Sequence, residues 1–155
     1  MLRKNQKSRP ETSAGHFAIV ASRYNGRYVD AMLRAASGEL KAAKVESLNV
    51  VRVPGAFEIP VVAAKLASSS TRRLSGIICL GVIFRGETTH AQQIADAVSH
   101  ALVELQIQHK VPVIHGVYLF ESQEQARIRC LGKTHNRGVE TARTALSMAK
   151  VMKTL

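Results

Sequence analysis

The sequence predicts an α/β protein, a three-layer α/β/α sandwich on a four-stranded parallel sheet. Apolar, β-branched runs at 17–22, 48–53, 75–84 and 111–120 alternate with longer segments of helical periodicity. Each run is nearly continuous in apolar residues, as expected of a parallel strand covered on both faces. Consecutive runs are separated by enough chain for a helical crossover.

Between the first two runs, Val29, Met32, Leu33, Ala36 and Leu40 recur at three- and four-residue spacing and mark one side of a helix, which Gly38 weakens without ending. After the second run, Pro54-Gly55 signals a turn. Pro60 then fits only the first turn of a helix continuing through Val62, Ala63 and Leu66. The third run ends in Arg85-Gly86-Glu87-Thr88-Thr89-His90, and the next helix has the apolar face Ile94, Val98, Ala101, Leu102 and Leu105, with a threonine at its N-cap. The fourth run leads through 121–131 and a glycine-punctuated loop at 132–138 into a last helix with Val139, Ala142, Leu146, Ala149 and Met152 inward. This order of elements is the flavodoxin-like arrangement, with room for a fifth strand from the N-terminal segment.

Length and composition, 155 residues with 46% apolar content, fit one core rather than two. Residues 16–155 are expected to form a single domain behind a basic, flexible leader at 1–15, which carries Arg3, Lys4, Lys7 and Arg9. The two cysteines, Cys79 and Cys130, form no CxxC motif and read as reduced thiols of a cytoplasmic protein. The first apolar run is too short for a signal-peptide core, and no stretch of about 18 apolar residues could span a bilayer.

The formal charge of +11 raises nucleic acid, anionic membranes and phosphorylated substrates as partners. Beyond the leader, however, the cations are interspersed with acids and lack aromatic neighbours, so dedicated nucleic-acid binding is not expected. No metal-ligand pair of the HxxxH or HExxH type occurs.

In open parallel sheets, ligands sit beyond the carboxyl ends of the strands. That rule selects the loops 23–27, 54–58 and 85–90 and the region after Phe120. The loop at 85–90 combines a glycine, two hydroxyls and a helix start, which suits an anion, and an ordinary capped helix would look the same. His90, at the mouth of this loop, has a side chain able to exchange protons near neutrality. At 53–60, VPGAFEIP joins a strand end, a tight turn, an aromatic and a carboxylate; Glu58 could accept hydrogen bonds from a polyol, or Phe57 could simply anchor the turn. Arg127, Arg129, Lys133 and Arg137 follow the fourth strand as candidate phosphate partners or solvated side chains.

Taken together, VPGAFEIP at 53–60, RGETTH at 85–90, EQA at 124–126 and NRGVE at 136–140 resemble, in order and spacing, the lumazine synthase pattern. The resemblance runs from about Phe17 to Met152. It implies condensation of 5-amino-6-(D-ribitylamino)uracil with 3,4-dihydroxy-2-butanone 4-phosphate to 6,7-dimethyl-8-ribityllumazine, the penultimate step of riboflavin biosynthesis, without metal or organic cofactor.

Carried over by position, it implies that Tyr24 stacks on the pyrimidine and that Ala56, Phe57 and Glu58 hold the ribityl chain. Ile83 and Phe84 would meet the ring through backbone groups, with Arg137 nearby. Gly86, Glu87 and Thr88 would cradle the phosphate, with Arg129 as its charge partner, and His90 would transfer protons. It further implies pentamers with active sites between adjacent subunits, in many members joined twelve at a time into an icosahedral shell. Riboflavin synthase is a further partner. The short 132–136 loop is compatible with a shell, although His135 replaces a common glycine.

Three departures stand out. Ala91 and Gln92 follow His90 where an aromatic and an aspartate are common. His115 occupies the place of a phenylalanine in the wall that a neighbouring subunit presents to the site. Leu119-Phe120 replaces paired threonines. Two rival readings share the features above: an archaeal-type riboflavin synthase, and a noncatalytic flavin- or lumazine-binding protein or shell for anionic cargo.

Overall fold

The computed structural model describes residues 15–69 and 71–155. Most of the expected leader, and with it any fifth strand, lies outside the described residues. In order, the elements are β1 (His16–Ser22), α1 (Gly26–Ala42), β2 (Ser47–Val53), a 3-10 turn (Ala56–Glu58), α2 (Ile59–Ala67), β3 (Gly76–Phe84), α3 (His90–His109), β4 (Val113–Phe120), α4 (Gln123–Ala126), a π-helical turn (Arg127–Leu131) and α5 (Arg137–Lys153). The sheet is four-stranded and parallel throughout, in the order β2-β1-β3-β4. The predicted flavodoxin-like α/β/α architecture is the one observed.

Each face of the sheet has its own apolar core. Phe17, Ile19, Ile78 and Leu80 pack under α1 and α5, against Val29, Met32, Ala142 and Ala145. Val20, Ile77, Cys79 and Val117 pack under α2 and α3, against Ile59, Ala63, Val98 and Leu102. Alternation along β1 and β3 therefore divides one apolar run between two cores, as the period of two requires. Burial pushes the Cys79 thiol up to about 12, so it stays an inert, protonated core group.

The expectation that all four strands are covered on both faces fails at β2. Asn49 and Val50 are exposed, because β2 is an edge strand with β1 as its only sheet neighbour. The predicted inward face of α5 is also shifted. Gly138, Thr141, Ala142, Ala145 and Ala149 are buried, whereas Val139, Leu146 and Met152 are only half-buried. Small residues win because α5 lies almost in contact with α1: a Cβ placed on Gly138 would come 2.2 Å from the Met32 carbonyl oxygen. Gly138 thus belongs to the first turn of α5 rather than to the preceding loop.

Asn136 caps that turn. Its Oδ1 accepts from Gly138 N–H at 2.8 Å and Val139 N–H at 3.4 Å, while its Nδ2 donates to the Cys130 carbonyl at 2.7 Å. The side chain is buried and ties the π-helical turn to α5. Asn136→Ala removes a cap and orphans a buried carbonyl, so a loss of about 2 kcal/mol is expected in chemical denaturation. An unchanged midpoint would show that the cap carries no stability.

Candidate active site

The β-strands point their carboxyl ends at one cavity of about 470 Å³, lined by Tyr24 and Asn25 after β1, residues 55–58 after β2, Val82, Ile83 and Phe84 at the end of β3, and His90, Ala91 and Ile94 on α3. It lies where the chain, after adding β2 on one side of β1, crosses back to add β3 on the other. This reversal of strand order opens a crevice between neighbouring loops.

Backbone bonds hold the two loops in register. Arg23 N–H donates to the Val53 carbonyl at 2.7 Å and Tyr24 N–H to the Pro54 carbonyl at 3.0 Å, so the β1 loop is zipped onto the β2 loop. Tyr24 itself is 75% exposed and Phe57 61%. Both rings stand at the cavity on fixed backbone without being buried in the core, so Phe57 is not the core anchor that one reading of its motif allowed.

Two positions that the sequence did not reveal support this arrangement. Asn25 adopts the left-handed conformation (φ 57°), which asparagine tolerates better than most residues, and its Nδ2 donates to the Val82 carbonyl at 2.7 Å. It thereby bridges the β1 loop to β3 across the crevice. Arg52 of β2 donates to the carbonyls of Ala21 at 3.2 Å and Ser22 at 2.9 Å and pairs with Asp30 at 2.7 Å, closing the carboxyl end of β1.

The 85–90 loop is exposed and open. A Cβ on Gly86 would meet nothing within 4 Å, so no packed neighbour explains that glycine, and the space beside its backbone is free for a ligand. Arg85 clamps the base of the loop: Nε donates to Glu121 at 2.8 Å and a terminal nitrogen to Gln92 at 2.7 Å, and Gln92 in turn donates to Asp96 at 2.8 Å. Gln92 is therefore the acceptor that anchors Arg85, and Ala91 is buried against the cavity wall. The expected threonine occupies the N-cap of α3, as Thr89, but its side chain makes no capping bond. The dipole and free N–H groups of a long helix thus remain directed at the loop.

Tyr24, Ala56, Phe57, Glu58, Ile83, Phe84 and His90 are gathered around this one cavity, with Gly86, Glu87 and Thr88 in the loop leading into His90. His115, Arg129 and Arg137 are not among its lining residues. His115 lies on β4 near α3, with Nδ1 accepting from Val117 N–H at 3.3 Å and Nε2 at 2.7 Å from Ser99 Oγ. An Nδ1 that accepts a backbone proton leaves the proton of the neutral ring on Nε2, which then donates to the serine. That polarity is the reverse of what an activated serine nucleophile needs. Burial pushes the imidazole below its usual pKa and favours the neutral form.

The predicted helix flanked by Arg127 and Arg129 ends earlier than expected: α4 stops at Ala126 and both arginines lie in the π-helical turn. Arg127 is neutralised by Glu124, at 2.6 Å. Arg129 has no ion-pair partner among the described residues and is exposed. Arg137 pairs with Glu140 and places its guanidinium 5.9 Å from the centre of the Tyr118 ring, which stacks on Phe120.

The family model for 6,7-dimethyl-8-ribityllumazine synthase matches residues 14–153. The chain belongs to the lumazine synthase family. The match takes in every element of the sheet and every loop of the cavity. Among related lumazine synthases, the protein of Xanthomonas oryzae pv. oryzae (strain PXO99A) is 39% identical over 149 residues, covering 95% of this chain and 94% of the relative. That of Stenotrophomonas maltophilia (strain R551-3) is 38% identical over 148 residues, covering 94% and 93%. That of Xylella fastidiosa (strain M12) is 39% identical over 145 residues, covering 92% and 93%. Among the described residues of this lumazine synthase-like chain, no group of three His, Cys, Asp or Glu side chains is placed to hold a metal, and no helix is long and apolar enough to cross a membrane.

Proposed function

We propose that the protein condenses 5-amino-6-(D-ribitylamino)uracil with 3,4-dihydroxy-2-butanone 4-phosphate, forming 6,7-dimethyl-8-ribityllumazine and releasing phosphate and water. The observation that carries this reading is the convergence of the motif residues on one cavity, an aromatic and polyol-binding wall on one side and an open anion loop on the other. Tyr24 stacks on the pyrimidine, Ile83 and Phe84 bind its edge through their backbone, and Ala56, Phe57 and Glu58 hold the ribityl chain. Gly86, Glu87 and Thr88 seat the phosphate at the start of α3.

In this scheme the amine attacks the ketone, water leaves as the imine forms, phosphate departs, and ring closure expels the second water. His90, beside both the loop and the ring site, moves the protons. Holding two substrates in register supplies much of the acceleration, which fits a site with one conventional acid–base group.

No lysine or arginine lines the cavity, so a single chain leaves the phosphate without a cationic partner. We therefore assign the missing cation to Arg129 of an adjacent subunit, together with His115 as a wall residue and Arg137 near the ring, in a pentamer. Neutral His115 keeps a flat ring where the family commonly has phenylalanine, and adds a donor already occupied by Ser99. Twelve pentamers closing into an icosahedral shell, cytoplasmic residence and hand-over of the product to riboflavin synthase complete the proposal, with 16–155 as the folded unit.

Arg129→Ala is expected to raise KM for the ketose phosphate about 30-fold with little change in kcat, the loss of a charge-assisted contact of about 2 kcal/mol. Steady-state kinetics with each substrate varied in turn checks this, and an unchanged KM would remove Arg129 from the site. Supplying lumazine alone tests the riboflavin-synthase rival, which would dismutate it to riboflavin; no such product is expected.

A further inference from the structure

The cavity occupies one end of the sheet, and the loops that enter the strands occupy the other. At that opposite pole the charge is one-sided. The entering loops and the last turn of α5 carry Lys44, Arg72, Arg73, Lys110, Lys150 and Lys153. They carry one acidic side chain, Glu46, whose carboxylate is 2.9 Å from His16.

The leader joins the protein at the same pole. Gly15, its last residue, accepts the Glu46 N–H at 2.9 Å, and a Cβ placed on it would lie 2.1 Å from Ser75 Oγ, so the two backbones approach closely beside the start of β3. The leader adds Arg3, Lys4, Lys7 and Arg9 against Glu11. Leader and pole together thus hold ten of the 22 lysines and arginines but only two of the 11 acids. Cations that alternate with acids along the sequence are segregated in space.

Helix C-termini favour cations and account for Lys44, Lys110, Lys150 and Lys153 one by one. They do not account for Arg72 and Arg73, which stand in a loop, nor for the leader. Between these groups opens a cavity of about 240 Å³ lined by Arg73, Ser75, Lys110 and Lys153, with the Arg73 guanidinium anchored on the Lys110 carbonyl at 3.4 Å. No aromatic side chain occurs in these loops or in the leader, so the surface offers charge without a stacking platform.

We propose that this pole binds nucleic acid through its phosphate backbone, without base selectivity, separately from the catalytic cavity. Such binding is driven by counterion release and is steeply salt-dependent. A fluorescein-labelled oligouridylate, titrated with the full chain by anisotropy, is expected to bind at low salt. With about four phosphates engaged, affinity should fall roughly 50-fold between about 50 and 200 mM salt.

The Arg72→Gln, Arg73→Gln, Lys110→Gln triple variant, with an unchanged thermal midpoint, should lower the slope of log affinity against log salt by about two. A leader variant with Arg3, Lys4, Lys7 and Arg9 all changed to Gln should weaken binding similarly, and it decides the question if the triple variant unfolds. Wild-type affinity in both variants, or affinity indifferent to salt, would overturn the proposal. So would binding to phosphatidylcholine–phosphatidylserine vesicles with none to the oligonucleotide, which would make the pole a membrane surface.

Discussion

His90→Ala is expected to lower kcat by about two orders of magnitude while leaving KM for both substrates within a few-fold of wild type. A positioned acid–base group contributes roughly 10²–10⁴ in rate, and the lower end applies where substrate juxtaposition supplies much of the rest. His90 lines the cavity at the first turn of α3, on the far side of the anion loop from Tyr24's neighbours, so its loss removes a proton carrier without removing a wall. Steady-state lumazine formation measures the effect. Wild-type kcat would take His90 out of the chemistry, and a large rise in KM with kcat unchanged would make it a binding residue instead.

Gly138→Ala is expected to have the largest effect on stability. The added methyl would lie 2.2 Å from the Met32 carbonyl oxygen and 2.7 Å from its Cα, both main-chain atoms of α1 that cannot rotate away. Relief requires α1 and α5 to separate, opening the core that contains Met32, Ala142 and Ala145. A loss of about 3 kcal/mol or more follows, roughly a 10 °C fall in thermal midpoint for a chain of this size. A midpoint within about 2 °C of wild type would show that the helices do not approach so closely.

Gly138 also shows where sequence reading loses its grip. Nothing around it distinguishes a loop glycine from one that lets two helices touch, because the reason lies about a hundred residues away, at Met32. The same holds for α5 as a whole. Its larger residues, Val139, Leu146 and Met152, suggest one face, but close approach to α1 selects the glycine and alanine face instead. At β2 the run of apolar residues could not reveal that the strand would lie at the sheet edge, since edge position follows from strand order and not from local composition.

The candidate site was more legible because its residues lie in contiguous loops fixed to strand ends. Once the 53–60 and 85–90 segments were placed after β2 and β3, a parallel sheet brought them together. What remained hidden were the side-chain bridges that hold those loops. Asn25 reaches the Val82 carbonyl across 57 positions, and Arg85 reaches Glu121 across 36. Bonds of this kind leave no periodicity or motif in the chain. Gln92 is instructive in the same way: in sequence it is a departure from the family pattern, and in space it is the group that anchors Arg85.

The segregation of charge is a further property of the fold rather than of composition. A net charge of +11 could be spread evenly or concentrated, and only the placement of the strand-entering loops opposite the cavity makes it a pole.

Turnover decides the proposed activity. Purified protein is given both substrates while lumazine fluorescence and inorganic phosphate are followed in the same sample. The geometry of the cavity predicts that both rise together, one phosphate for each lumazine. Folded protein that forms neither product, or that makes riboflavin from lumazine without the ketose phosphate, would contradict the assignment.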